Sequence, residues 1–247
     1  MFNEFAVMAA SSASVVLAPI FVFQGTQVRK RTPKIPSPSG KPFGIIEQQE
    51  SAIHLLFLGE STIEGVGAPT YDDALPGQAA KTVARQSKRT VFWHAVGKRG
   101  VTVQKTIQQL VPQIPDEPFD MIVIALGVND VLRFHHPARF QRDLATLISQ
   151  LRLKLGPLPI VLVAVPEVGR FPILPQPLRI GLGLRAHAFN IAMRRLAQML
   201  PMVTWAGTEF IGGIELLCAD QFHPSALGYQ QWGQQLGTHI AQLLHLY

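Results

Sequence analysis

Two residues far apart in a 247-residue chain, Ser61 and His223, are of the types that nucleophilic catalysis needs. A serine hydroxyl at its own pKa is a poor nucleophile and attacks a carbonyl only when a base stands within hydrogen-bond reach. Histidine suits that task because its imidazole titrates near neutrality. Asp220 lies three residues before His223, close enough to reach the far ring nitrogen, fix the tautomer and stabilise the imidazolium. A tetrahedral intermediate also needs donors aimed at its oxyanion. Taken singly, each signal has a plainer reading. Gly59-Glu60-Ser61 after an apolar run is also an ordinary turn, Asn129-Asp130 is also a turn pair, and His223-Pro224 is also a helix start.

What would bring these residues together is the order of elements around them. His54 to Leu58 is a short apolar run that reads as a buried strand, and Gly59 after it permits a sharp turn. Further strands are expected at Val91–Val96, Met121–Leu126, Ile160–Val165 and Met202–Trp205. Helices are expected at Leu75–Gln86, Val103–Val111, Arg139–Leu155, Leu184–Leu200 and Ala226–Leu244. Alternation of this kind argues for a parallel sheet covered by helices on both faces. In such sheets ligands bind at the carboxyl ends of the strands. Ser61 falls at one such end, and so do the loops Gly97–Thr102, Gly127–Asp130 and Asp220–Pro224.

Four blocks in order, each at a strand end, resemble the SGNH hydrolases, the GDSL-type esterase and lipase family. They are Gly59-Glu60-Ser61, Gly100, Gly127-Val128-Asn129-Asp130, and Asp220 to His223. The resemblance spans Leu55 to His223, with one departure, Glu60 where the family usually has Asp. It implies a three-layer α/β/α sandwich on a five-stranded parallel sheet, flavodoxin-like in topology. It further implies catalysis by Ser61, Asp220 and His223, with an oxyanion hole of the backbone N–H groups of Ser61 and Gly100 and the side-chain amide of Asn129. No metal and no organic cofactor is expected.

Composition sets the remaining bounds. A hydrophobic content of 47% with 15% charged residues suits a large core, and the single cysteine excludes an intramolecular disulfide. The formal charge is +6, but five of the 22 Lys and Arg residues lie between Arg29 and Lys41, and Glu4 is the only acid before Glu47. The body is therefore close to neutral, with no basic stripe for nucleic acid. Phe5 to Phe23 carries no charge and as a helix would rise ~28 Å, near the ~30 Å of a hydrocarbon core. Positive charge follows it rather than preceding it, so residues 1–28 are expected to anchor the chain to a membrane with the body cytoplasmic. An exported body is the alternative. Residues 29–44, basic and Pro-rich, are expected to be an extended linker, with the domain at 45–247.

Several other residues invite chemistry and have simpler explanations. Glu60 and Glu64 as a glycosidase pair, His135-His136 as metal ligands, Cys218 as a nucleophile and Gly65-x-Gly67 as a dinucleotide fingerprint all lack the partners those roles require. The stretch Pro166 to Gly183 is long and apolar, and Phe171 and Leu174 are expected to line an acyl site there. The expected activity is hydrolysis of a lipid-like or small acyl ester through a Ser61 acyl-enzyme. Alternatives on the same site are a thioesterase, a glycan O-deacetylase, or a member that binds lipid or glycan without turnover.

Overall fold

The computed structural model describes residues 18–48, 50–207 and 213–244. Its centre is a six-stranded sheet built from β1 (Phe43–Ile46), β2 (Glu50–Gly59), β3 (Arg89–Gly97), β4 (Met121–Ala125), β5 (Ile160–Val163) and β6 (Val203–Ala206). The spatial order is β1-β3-β2-β4-β5-β6. All neighbours are parallel except β1, which runs antiparallel to β3. The inner strands β4 and β5 are buried at every position, which is why they read as unbroken apolar runs. Each such Leu, Ile or Val contributes on the order of 1.5–3 kcal/mol by leaving water.

The five expected strands are present, and β1 is a sixth. Its four residues, Phe43-Gly44-Ile45-Ile46, alternate between exposed and half-buried on an edge, and so short a run directly after Pro42 reads as the end of the Pro-rich stretch. The helices form the two outer layers. Helices α3 (Leu75–Ser87) and α8 (Ala226–Leu243) pack on each other, while α4 (Val103–Gln109), α6 (Pro137–Leu155) and α7 (Leu178–Met199) form the second layer. Two short helices, α2 (Ser61–Glu64) and α5 (Val128–Leu132), sit directly at strand ends. Helix α7 starts six residues earlier than expected. Gly181 and Gly183, poor helix formers, hid that start. Gly181 lies where a Cβ would stand 2.8 Å from the Phe21 ring.

Phe21 belongs to α1 (Ala18–Arg31) and is 3% exposed, stacked on Phe134 with ring centroids 5.8 Å apart. Gln24 donates to Gln176 O (2.7 Å) and accepts from Leu178 N–H (3.2 Å). Most of the expected anchor, residues 1–17, lies outside the described residues. Among the described residues no helix is long and apolar enough to cross a membrane.

The segment expected as a linker has no helix or regular strand over residues 33–38, yet it is fastened along the domain as a strap. Arg99 donates to Ile35 O (2.9 Å) and Ser37 Oγ (2.7 Å), Ser37 donates to Glu64 (2.8 Å), and Ser39 forms a bridge with Thr70.

The turn out of β2 sets the position of Ser61, and Gly59 has no room for a side chain. A Cβ there would lie 2.2 Å from Ala125 O on the neighbouring strand and 2.7 Å from the Ile63 side chain. The carbonyl belongs to backbone that also accepts the Glu60 N–H at 3.1 Å, so it yields only by parting β2 from β4. Gly59→Ala is expected to cost at least about 2 kcal/mol by overpacking, read as a lower urea midpoint at unchanged slope.

Candidate active site

Four loops converge at the carboxyl edge of the sheet. Ser61 is the first residue of α2 and is nearly buried. Its carbonyl accepts the Val66 N–H at 2.9 Å, which closes the turn behind it. Asp220 and His223 lie in the loop before α8. Asp220 is 1% exposed, and its Oδ1 accepts the N–H groups of Phe222 and His223, both at 3.0 Å. This is the local turn that an Asp side chain makes with backbone two and three residues on. Its Oδ2 meets His223 Nδ1 at 2.5 Å. Burial pushes the Asp220 carboxyl up, but the ring and N–H of His223 and the Phe222 N–H outweigh it and hold the group below the usual carboxylate range. An ionised Asp220 on Nδ1 leaves Nε2 as the nitrogen available to a hydroxyl.

Ser61 and His223 line one cavity of about 20 Å³, walled by Val128, Pro166, Phe171, Phe222 and Trp232. Phe222 packs edge-on against both His223 (5.2 Å) and Phe171 (5.0 Å). Phe171 therefore borders this cavity. Leu174 does not. It is 3% exposed, packed in the core and absent from that lining. An apolar loop residue has two ways to escape water, a ligand or the core, and here Leu174 takes the core.

The two remaining oxyanion candidates lie on separate loops. Gly100 follows β3 with a φ of +78°, and a Cβ there would meet nothing within 4 Å, so the backbone at this turn is open to an approaching group. Asn129 is the second residue of α5, and its side-chain amide donates to Glu60 Oε2. Each of these loops is held by a carboxylate near Ser61. Glu60 accepts the N–H groups of Val128 (2.9 Å) and Asn129 (3.0 Å) as well as that amide. Glu64 accepts the Arg99 N–H and pairs with Arg99 Nε at 3.0 Å, one residue before Gly100. Neither role was expected. Residue type and spacing show that two acids flank Ser61, but not which donors they face.

Glu60 is 3% exposed. Desolvation pushes its pKa up to about 7 against the pull of the three donors from Asn129 and Val128. A carboxyl raised in this way stabilises the fold fully below its unfolded value of 4.5 and loses that contribution as pH rises through 7. At ~1.36 kcal/mol per unit the loss is on the order of 3 kcal/mol between pH 4.5 and 8. Glu60→Gln is expected to flatten that slope in urea unfolding. Its NH₂ would also face a backbone N–H, a buried mismatch costing about 1–3 kcal/mol. We expect kcat to fall about 10-fold with KM nearly unchanged, and Glu60→Asp to recover most of it.

Asp130 and Cys218 have structural roles. Asp130 is buried, accepts the Val103 N–H (3.1 Å) and meets His135 Nδ1 (2.8 Å), which ties this loop to α4. Cys218 Sγ lies 3.2 Å from Pro224 O, and burial pushes its thiol up. Among the described residues no group of three or more His, Cys, Asp or Glu is placed to hold a metal ion.

Comparison with known proteins identifies the family. The family model for the GDSL-like lipase/acylhydrolase family matches residues 57–231. A GDSL-like esterase of Mycobacterium tuberculosis is 27% identical over 184 residues, 72% of this chain. The chain spans 58% of that relative's length. Among solved structures, TesA superposes with a TM-score of 0.62 at 20% identity, over 77% of this chain and 99% of its own. A lipase/acylhydrolase from Enterococcus faecalis gives 0.59 at 21% identity, over 77% and 96%. These structures share the fold, and the family match runs from β2 into α8, across each of the four loops. The chain belongs to the GDSL-like lipase/acylhydrolase family, a family of ester-hydrolysing enzymes.

Proposed function

We propose that this chain is a serine esterase that cleaves short-acyl carboxylic esters through an acyl-enzyme on Ser61. The observation that carries this reading is that His223, paired with Asp220, lines one small cavity together with Ser61. In the first half-reaction Ser61 Oγ attacks the ester carbonyl carbon while His223 Nε2 takes its proton. The oxyanion is received by the N–H groups of Ser61 and Gly100 and the amide of Asn129, which Glu60 aims. Collapse breaks the bond to the leaving oxygen, which takes the proton from His223. Water then repeats the sequence on the acyl-enzyme.

The acyl size follows from the cavity. A volume of about 20 Å³ is little more than the ~10–15 Å³ that one water needs. With Leu174 buried in the core and Phe171 closing the cavity wall against Phe222, the apolar loop is spent on packing and on bounding a small cavity rather than on walling a channel for a long chain. The test is a 4-nitrophenyl ester series on the full chain, from acetyl to palmitoyl. Acetyl and propionyl esters should give the highest kcat/KM, falling at least 10-fold by octanoyl. A rising series would overturn the short-acyl reading, and no turnover of any member would favour a binding role. The charge order of the N-terminal run continues to support attachment to a membrane with the body on the cytoplasmic side.

A further inference from the structure

A second, larger cavity lies beside the first. It is an open cleft of about 420 Å³ at the ends of β5 and β6, walled by α7, and Pro166 is common to both. Its volume falls in the ~300–1,000 Å³ range of small-molecule sites, whereas the Ser61 cavity holds only a small acyl group. An ester bound with its carbonyl at Ser61 therefore has to lay its larger part elsewhere, and this cleft is adjacent.

The cleft is polar at its rim. Glu167, Arg170, His187 and Arg194 line it, together with the Trp205 ring. Glu167 and Arg170 pair with each other, so their charges cancel. Arg194 is different. Its guanidinium sits 4.5 Å over the Trp205 ring and meets no carboxylate among the described residues. Stacking on a ring face holds the guanidinium plane and leaves its N–H donors facing outward, with no carboxylate taking them among the described residues. A planar cation held in this way is shaped to receive an oxyanion through two N–H groups at once. His187, on the same wall, adds a second polar contact.

The geometry points to this cleft as the leaving-group subsite, taking an alcohol that carries a phosphate or carboxylate, with Arg194 as the group that selects it. The inference rests on the esterase reading above and names the half of the substrate that the Ser61 cavity leaves out.

Three acetyl esters of matched size test it on the full chain: 1-acetylglycerol, its 3-phosphate, and the corresponding glycerate with a carboxylate. Acetate release should show kcat/KM for one or both anions at least about 10-fold above the neutral ester, carried mainly by KM. The member preferred tells phosphate from carboxylate. Added salt should shrink the preference. Arg194→Gln should lower the anion-to-neutral ratio about 10-fold and Arg194→Lys less, because a lysine keeps the charge without the planar pair of donors. Equal turnover of all three esters would overturn the subsite and leave the esterase standing. Failure to hydrolyse any of them, or 4-nitrophenyl acetate, would overturn the esterase. In that case calorimetric titration with glycerol 3-phosphate against glycerol still reads the cleft, since selective binding lost in Arg194→Gln supports it and no selective binding overturns it.

Discussion

Ser61→Ala is expected to lower turnover of 4-nitrophenyl acetate by at least about 10⁴-fold while the protein keeps its melting temperature. Ser61 lines one cavity with His223, the proposed mechanism makes its hydroxyl the nucleophile, and removing a serine nucleophile elsewhere costs up to ~10⁶ in kcat. Stability should hold because Ser61 is fastened through its backbone, its carbonyl taking the Val66 N–H. Alanine keeps the Cβ and suits the first turn of α2. A fluorophosphonate probe separates loss of the nucleophile from loss of the site. Wild-type protein should be labelled at Ser61 to one equivalent and the variant not at all. Retention of full turnover by the variant would sink the acyl-enzyme mechanism.

The next largest effect is expected at Asp220. An asparagine there can keep its Oδ1 under the two N–H groups of Phe222 and His223. Its NH₂ would then replace Oδ2 against His223 Nδ1. A donor at that point forces the ring proton onto Nε2, where it can no longer accept from Ser61. Inverting the tautomer in this way costs ~10⁴ in kcat in serine hydrolases of other folds. Fluorophosphonate labelling should slow in proportion yet still reach one equivalent, which a misfolded site would not do. The same change has a signature in stability. A carboxyl held below its usual range stabilises the fold above the unfolded pKa, and that contribution is lost as pH falls through the folded value. Wild-type protein should therefore lose stability below about pH 4 more steeply than Asp220→Asn in acid titrations followed by circular dichroism.

The parts of the molecule that sequence disclosed are those with a one-dimensional signature. Strands β4 and β5 are buried on both faces, so every residue is apolar and the run is visible. Ser61, Asn129, Asp220 and His223 are visible because each follows a strand or precedes a helix in a fixed order. The parts it concealed depend on direction. Strand β1 is hidden because its four residues, though apolar, lie on an edge and follow directly on the Pro-rich strap, so they read as the end of that strap. Leu174 and Phe171 are both apolar and three residues apart, yet only Phe171 borders the cavity, through its contact with Phe222. The positioning roles of Glu60 and Glu64 are hidden more deeply, because their partners lie on other loops 35 to 69 residues away. Arg194 and Trp205 meet only once α7 has folded back along β6.

The strap over residues 35–39 changes what a tether on this chain would mean. A free leash lets a catalytic body sweep every direction within its reach, and its capture rate depends on leash length. Here Arg99 and Glu64 grip the strap beside the Ser61 turn, and Phe21 with Gln24 pins α1 to the start of α7, just after the loop that carries Phe171. Whatever holds residue 18 thus holds the mouth of the active site at a set attitude and height. Lengthening the chain between Arg31 and Ile35 would gain no reach, because the body is hitched on both sides of the insertion. A version cut at Ile45 would gain mobility but lose the strap's two contacts with Arg99, leaving Glu64 to hold that side chain and the turn before Gly100.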